Sequence, residues 1–499
     1  MGRARGSRPV QAGLAVAALL LASCTGDPPP VDPSGADRPP SAPTTTASEP
    51  VEQSEQSDQP LLVVTHRSRP TFDLFEEVAL QIIDGSVPTW AELGVPGIPG
   101  VGPEPGTAPT RLRLVSAPNT PAPDRVEVAS AEAALRAVLG DTETVAVIPA
   151  SALDPRVRAV TVNGVDPVTD PDRYPIRTRA VSGPGPVVTV TVVGDIMLGR
   201  GVAEAALGTG RPAPALAPTR TRLRSADVTV GNLENTLSRA GAPTQGGDSF
   251  AADPRVVRSL RASGFDVLSL ANNHLGDFGD RALVRTVRRL RAGGLRTFGA
   301  GATVAQAWAP AVVERSGVRF GFVGFNAIGE TPTVAPGQPG AVSVGMPPRT
   351  GPLDRAALRR FTDAVRRLGA RVDVVVAMPH WGTQYTNRPE PVQRQVARRL
   401  VGAGVDVVVG GHPHWLQGVE MVDGRLVAHS LGNFVFDMDF MTQTMEGAVL
   451  ELTFWGGTLK AAELVPYVMD EDFAPRFVTG RRGDRVLALL RETSGPAFR

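Results

Sequence analysis

The chain has 499 residues, room for two or three domains, and its 42% hydrophobic and 20% charged content is that of an ordinary globular protein. A net charge of +1 gives no global electrostatic case for binding nucleic acid. Almost all the positive charge is arginine, with Lys460 the only lysine, which reflects a compositional bias rather than a mechanism.

Arg3, Arg5 and Arg8 form a positive n-region, and residues 11–22 form an apolar run too short for a convincing membrane span. Leu21-Ala22-Ser23-Cys24 follows and resembles a bacterial lipobox, in which the cysteine is lipidated and becomes the mature N-terminus. Cys24 is the only cysteine, so an internal disulfide is excluded. Residues 1–24 are expected to be a lipoprotein signal peptide. A diacylglyceryl anchor on Cys24 would then hold the protein outside the cytoplasm on the bacterial cell membrane. Residues 25–59, rich in Pro, Ser, Thr, Glu and Asp, read as a disordered tether.

Residues 60–180 are expected to form a separate small α/β lobe. Leu61–Val64 is a buried-strand run. Residues 73–84 space apolar side chains for a helix, with Asp73 as its N-cap and Gly85 and Pro88 ending it. Thr142–Ile148 and residues 157–163 supply further strands. The pieces Ile83-Asp84-Gly85, Trp90-Ala91-Glu92-Leu93-Gly94, Val145–Pro149, Val162–Pro167 and Tyr174-Pro175 resemble one lobe of a phosphate-type periplasmic binding protein. Half of a two-lobed protein argues against a complete ligand cleft. Two roles stay open, a degenerate non-binding module and an independent small-anion site. In either case the lobe is expected to be dispensable for folding of the rest.

Beyond a Gly/Pro linker at 181–186, apolar strands recur and each ends in a polar cluster. Val187–Val193 runs into Gly194-Asp195, Val228–Val230 into Gly231–Glu234, and Val267–Leu270 into Asn272-Asn273-His274. Val372–Ala377 runs into Pro379–Gly382, Val405–Val409 into Gly410–His414, and Leu426–Ala428 into His429–Phe434. Between them, residues 280–291 and 391–402 read as helices that bury one stripe and present arginines to solvent. Alternating strands and helices imply an α/β domain at 187–440, whose ligands gather beyond the carboxyl ends of the strands. Residues 441–499 complete it with a hairpin, Val449–Trp455 and Thr458–Tyr467 around Gly456-Gly457, and a closing helix at 484–492.

Four of the six histidines, His274, His380, His412 and His414, stand at strand ends, with Asp195, Glu234 and Asn273 at equivalent positions. Imidazole, carboxylate and amide oxygen together suit a divalent ion, Mn, Fe or Zn. A ligand set of this size has room for one or two ions.

In order and spacing, Gly194–Met197, Asn232–Glu234, Asn272–His274, His380–Gly382, His412–His414 and Ser430–Phe434 resemble the CapA family. That family is named for capsule or poly-gamma-glutamate synthesis. The resemblance implies a calcineurin-like metallophosphoesterase domain of four αββα layers. It implies that Asp195, Glu234, Asn273, His380, His412 and His414 hold metal and that His274 is the general acid. His429 has no ligand position in the pattern and is expected to be structural or to support the ligands. Where the phosphoesterases carry a histidine ligand on the first strand, this chain has Met197, which places hydrolysis in question. Arg200, Trp381 and Trp415 are candidate substrate contacts.

Two functions follow. One is a metal-dependent hydrolase acting on a phosphate ester or an anionic envelope polymer. The other is a non-catalytic accessory factor that binds and anchors or exports a polyanion such as poly-gamma-glutamate. The sequence has no nucleotide-binding loop to activate glutamate, so membrane polymer-synthesis proteins would be its partners.

Overall fold

Val187–Ile196, six of its ten residues β-branched valine or isoleucine, forms the centre of an eight-stranded sheet in the computed structural model of the chain. The structure describes residues 57–69, 71–86, 89–90, 113–116, 126–180 and 183–499. The signal peptide with Cys24, residues 25–56 of the tether, Ala91-Glu92-Leu93-Gly94 and residues 181–182 of the linker lie outside the described residues.

On one side of the central strand lie Val228–Leu233, Val267–Ser269 and Arg296–Phe298, all parallel to it. On the other side the antiparallel hairpin Glu446–Trp455 and Thr458–Met469 is followed by Pro475–Phe477. The short strand Asn433–Val435 pairs with the end of the central strand. A second sheet of six strands runs in the order Ala311–Arg315, Val318–Asn326, Val374–His380, Val407–Val409, Arg425–Leu431 and Leu416–Val422.

The period of two along a strand decides what each sheet buries. Val188, Val190 and Val192 share one core with Val374, Val376 and Val407, so the two sheets pack through these faces. Val193 and Ile196 turn the other way, into a core with Leu260, Leu283 and Val287 of helices Val256–Ala262 and Gly279–Ala292. On the second sheet, Val375 and Ala377 likewise meet Phe361, Val365, Val396 and Leu400 of helices Arg355–Gly369 and Pro391–Val401. Each such aliphatic side chain contributes roughly 1.5–3 kcal/mol by burial. The result is a mixed α/β domain whose two sheets share a core. The expected helices at 280–291 and 391–402 are present, and the hairpin turns at Gly456-Gly457. The closing helix is longer than expected, Gly480–Thr493.

In the N-terminal lobe, Ser57–His66 pairs antiparallel with Thr144–Pro149 and Val157–Ala159. Helices Glu76–Asp84 and Ala131–Gly140 bury Ala79, Ile82, Leu135 and Val138 against this sheet. Gly85, at φ 84°, ends the first helix in the left-handed region open to glycine. Asp73 does not cap that helix, which begins three residues later. Its carboxylate instead accepts the Gly164 amide and the Thr161 hydroxyl, so Asp73–Leu74 pairs as a strand with Thr161–Val162.

The lobe also touches the hairpin. Trp455 is buried in the lobe's apolar cluster and donates Nε1 to Val168 O at 2.8 Å. Lys460 donates Nζ to Ser151 O and Leu153 O. Glu463 pairs with Arg67 at 3.2 Å and Arg158 at 2.8 Å.

Candidate metal centre

Both sheets deliver the polar ends of their strands to one point. The backbone of Asp195 pairs with Asn232 on one side and Asn433 on the other. His380 ends its own strand and bridges to Gly411. The approach is so close at Gly411 that a Cβ there would lie 2.6 Å from Asp195 Oδ1 and 3.2 Å from His380 Nδ1.

Asp195, Glu234 and His380 are buried and offer ligand atoms that all lie within 4.8 Å of one another. Asn232 Nδ2 donates to Asp195 Oδ1 at 2.8 Å and to Glu234 Oε1 at 2.9 Å. Asn272 in turn donates to Asn232 Oδ1 at 3.0 Å. Asn273 Oδ1 stands 3.0 Å from His380 Nε2. The His412 amide donates to Asp195 Oδ2 at 2.9 Å, and the His412 ring lies 5.0 Å, centroid to centroid, from that of His380. His414 Nδ1 is 2.8 Å from Asn433 Oδ1 and 3.8 Å from Asp195 Oδ2. His412 and His414 have φ of 95° and 59°. Such backbone costs roughly 1–3 kcal/mol per residue and persists only where its surroundings hold it. Here the Asp195 carboxylate and the Asn433 amide do so.

Burial, and then the nearby Asp195 carboxylate, push the Glu234 carboxyl well above the usual range. Burial, and then the neighbouring histidines, push His380 and His412 well below theirs. Glu234 Oε2 and His412 Nδ1 are buried and meet no hydrogen-bond partner. An unsatisfied buried polar group costs about 1–3 kcal/mol. Carboxylate and imidazole atoms left open in this way are the donor types a divalent cation takes. The group Asp195, Glu234 and His380 therefore fits a metal ion.

His274 sits beside this group. Its Nδ1 is 3.0 Å from Asp277 Oδ2 and its Nε2 is 4.0 Å from Glu234 Oε2. Phe250 stacks on the imidazole at 3.9 Å, and the Phe250 amide donates to Asp277 Oδ2 at 2.6 Å. One ring nitrogen is thus tied to a buried carboxylate and the other turned to the metal ligands.

The family described as bacterial capsule synthesis protein PGA_cap matches residues 189–438. The chain belongs to this family. All the CapA-like motifs lie within the matched span. The capsule biosynthesis protein CapA of Bacillus anthracis is 31% identical over 299 residues, which cover 58% of this chain and 70% of that protein. A phosphatase structure from Mycoplasma pneumoniae aligns with 57% of this chain and 94% of its own, at 11% identity and a TM-score of 0.37. An ABC-type phosphate transport receptor from Vibrio cholerae aligns with 23% of this chain and 50% of its own, at 18% identity and a TM-score of 0.18.

Within the PGA_cap domain, Asp195, Glu234, Asn273, His274, His380, His412 and His414 come together. Of the three residues expected to meet substrate, one is turned away. Trp381 is fully buried and donates Nε1 to His429 O at 3.1 Å, so it is a core aromatic and not a groove wall. Trp415 is half-buried, with its Nε1 enclosed and unpartnered. Arg200 reaches the rim over Phe250 at 4.4 Å, but Asp437 and Asp248 pair with its guanidinium. That pairing leaves it little capacity for a substrate anion. His429 pairs with Glu420 at 2.7 Å, under the Trp381 ring. Asp277, Asn232 and Asn433 join the site through contacts that the strand-end pattern does not show. Asp277 was signalled by its place three residues after His274, and the two asparagines lie inside the quoted motifs.

Proposed function

We propose that this PGA_cap protein is a metal-dependent hydrolase of phosphoesterase type, with the helix–sheet–sheet–helix order forming the four αββα layers of that architecture. It would act outside the cytoplasm, held by a lipid on Cys24, on an anionic linkage of a capsule or envelope polymer such as poly-gamma-glutamate. The observation that carries this reading is the buried meeting of Asp195, Glu234 and His380, with Glu234 Oε2 and His412 Nδ1 left open beside them. One or two ions of Mn, Fe or Zn would be held by these residues with Asn273 and His414. A bound ion supplies Lewis acidity toward the scissile group and its attacking water. The protein's own residues do the rest. Asp277 fixes the tautomer of His274, and His274 Nε2 gives a proton to the leaving oxygen. Asn232 holds the two carboxylates in register, and Phe250 seals the imidazole from solvent.

A second reading, a non-catalytic accessory factor for polymer binding or export, draws support from Met197. It lies fully buried in the apolar cluster between sheet and helices, so the first strand adds no nitrogen ligand there. The test is hydrolysis of aryl phosphates, alkyl phosphates and poly-glutamate with added Mn or Zn. On the hydrolase reading, His274→Ala keeps its metal and loses roughly 10²–10⁴-fold in rate on unactivated esters. No turnover by the metal-loaded wild type across this panel supports the accessory reading.

A further inference from the structure

We propose that the outer helix Arg355–Gly369 is a docking track for an extended polycarboxylate, distinct from the metal centre. The chain as a whole carries a net charge of only +1. Helix Arg355–Gly369 carries Arg355, Arg359, Arg360, Arg366 and Arg367 against a single acid, Asp363; helix Gly279–Ala292 has the same balance, and the concave surface beside the first sets it apart. Asp363 pairs with Arg366. The guanidinium groups of Arg355 and Arg359 have no hydrogen bond or ion pair among the described residues, and neither has that of Arg399 on the neighbouring helix. Asp363 lies three or four residues from Arg359, Arg360, Arg366 and Arg367, so one carboxylate faces four guanidinium groups, and Arg366 takes it.

The helix is flanked by concave surface. A groove of about 460 Å³ lies between it and helix Pro391–Val401, with Leu353 and Leu358 in its lining and Arg355, Arg359, Arg366 and Arg399 around them. A second hollow of about 310 Å³ on its other flank takes in Arg360, Arg367 and Trp308, and Asp363 lines both. Trp308 and Arg360 also line a third, of about 320 Å³, which reaches Thr331. Thr331 Oγ1 accepts the Gly276 amide at 2.8 Å, in the loop that carries His274. The grooves therefore lead from the arginine rows toward the loop that carries His274, through a third hollow whose charged lining is Arg360 and Asp354.

Planar guanidinium groups pair with carboxylates two bonds at a time, and a row of them favours a ligand with repeated carboxylates over a single anion. No large apolar side chain is exposed along this helix among the described residues; those that are exposed lie elsewhere, as at Phe75, Leu207 and Phe440. That weighs against a lipid surface as occupant. The track does not depend on hydrolysis at the metal centre, although the polymer it would hold is the one named above.

The test is fluorescence anisotropy of labelled poly-L-glutamate with the full-length protein over a range of salt. Arg355→Gln, Arg359→Gln and Arg399→Gln combined should weaken binding by about tenfold or more and flatten its salt dependence, as lost counterion-releasing contacts require. A control removes equal charge elsewhere, with Arg281→Gln, Arg285→Gln and Arg288→Gln on helix Gly279–Ala292; it should change binding by less than about twofold. Metal content and hydrolysis are read on the same preparations, so a dead metal centre is distinguishable from an absent track. Equal loss in the two triple variants overturns the proposal, as does binding only to phosphatidylglycerol vesicles or no binding to the polymer.

Discussion

Asn232 Nδ2 stands 2.8 Å from Asp195 Oδ1 and 2.9 Å from Glu234 Oε1, so one neutral amide holds two buried carboxylates in place. Removing it should cost metal affinity without touching a ligand. Asn232→Leu keeps the volume, removes the donor and should weaken divalent-ion binding by roughly 10–100-fold, the usual weight of a group that supports a metal ligand. Calorimetric titration of Mn and Zn into metal-stripped protein checks this. An unchanged affinity would mean that the carboxylates are held by other contacts.

Asp277 should matter to rate rather than to metal. Asp277→Asn leaves the size but removes the charge that orients His274. Turnover on unactivated esters should fall by about 10–100-fold, less than for His274→Ala, with metal content unchanged. The two losses should not add, because Asp277 acts through His274. Additive losses would separate the two residues functionally.

Much of this site is legible in the amino-acid sequence. Strand-end placement brings Asp195 and Glu234 to one edge of the first sheet and His380 and His412 to one edge of the second, because parallel strands end their apolar runs on the same side; the packing of the two sheets brings the edges together. The asparagine scaffold was not legible in that way. Asn232 and Asn433 matter through contacts across the sheet, whose register depends on how strands distant in sequence come to lie side by side. Trp381 misled for a similar reason: a tryptophan next to a ligand looks like a groove wall, and strand alternation turns it into the core. Helix Arg355–Gly369 is absent from the expected elements although Leu358, Phe361, Val365 and Leu368 have helical spacing.

Separateness of the lobe is the expectation most exposed to the hairpin contacts. A chain beginning near residue 184 would strip the cover from Trp455 and leave Lys460 and Glu463 without their partners across the junction. It should be less soluble and melt lower than the full-length protein. Trp455→Ala in the full chain should cost about 3–5 kcal/mol, the usual figure for a buried tryptophan. Thermal and urea unfolding measure both. A truncated chain as stable as the full one would show that the lobe is a true appendage.

The same junction should respond to acid. Burial by itself would raise the Glu463 carboxyl, but Arg67 and Arg158 outweigh it and hold the group below its ordinary value. A depressed value in the folded state adds stability above the unfolded value, and this is lost as pH falls through the folded one. The stability gap between wild type and Glu463→Gln should be largest near neutrality and shrink below about pH 4, where the free carboxyl itself protonates. Urea unfolding across that range checks the sign, and a gap that widens in acid contradicts it.

The most direct measurement is metal content and turnover on one preparation, for the wild type and for His412→Ala. Inductively coupled plasma spectrometry of the wild type should find about one or more Mn, Fe or Zn ions per chain, with hydrolysis that chelation abolishes and the metal restores. His412→Ala should lose metal and turnover together while keeping its fold by circular dichroism. A folded wild-type protein that takes up no divalent metal would contradict the account at its centre.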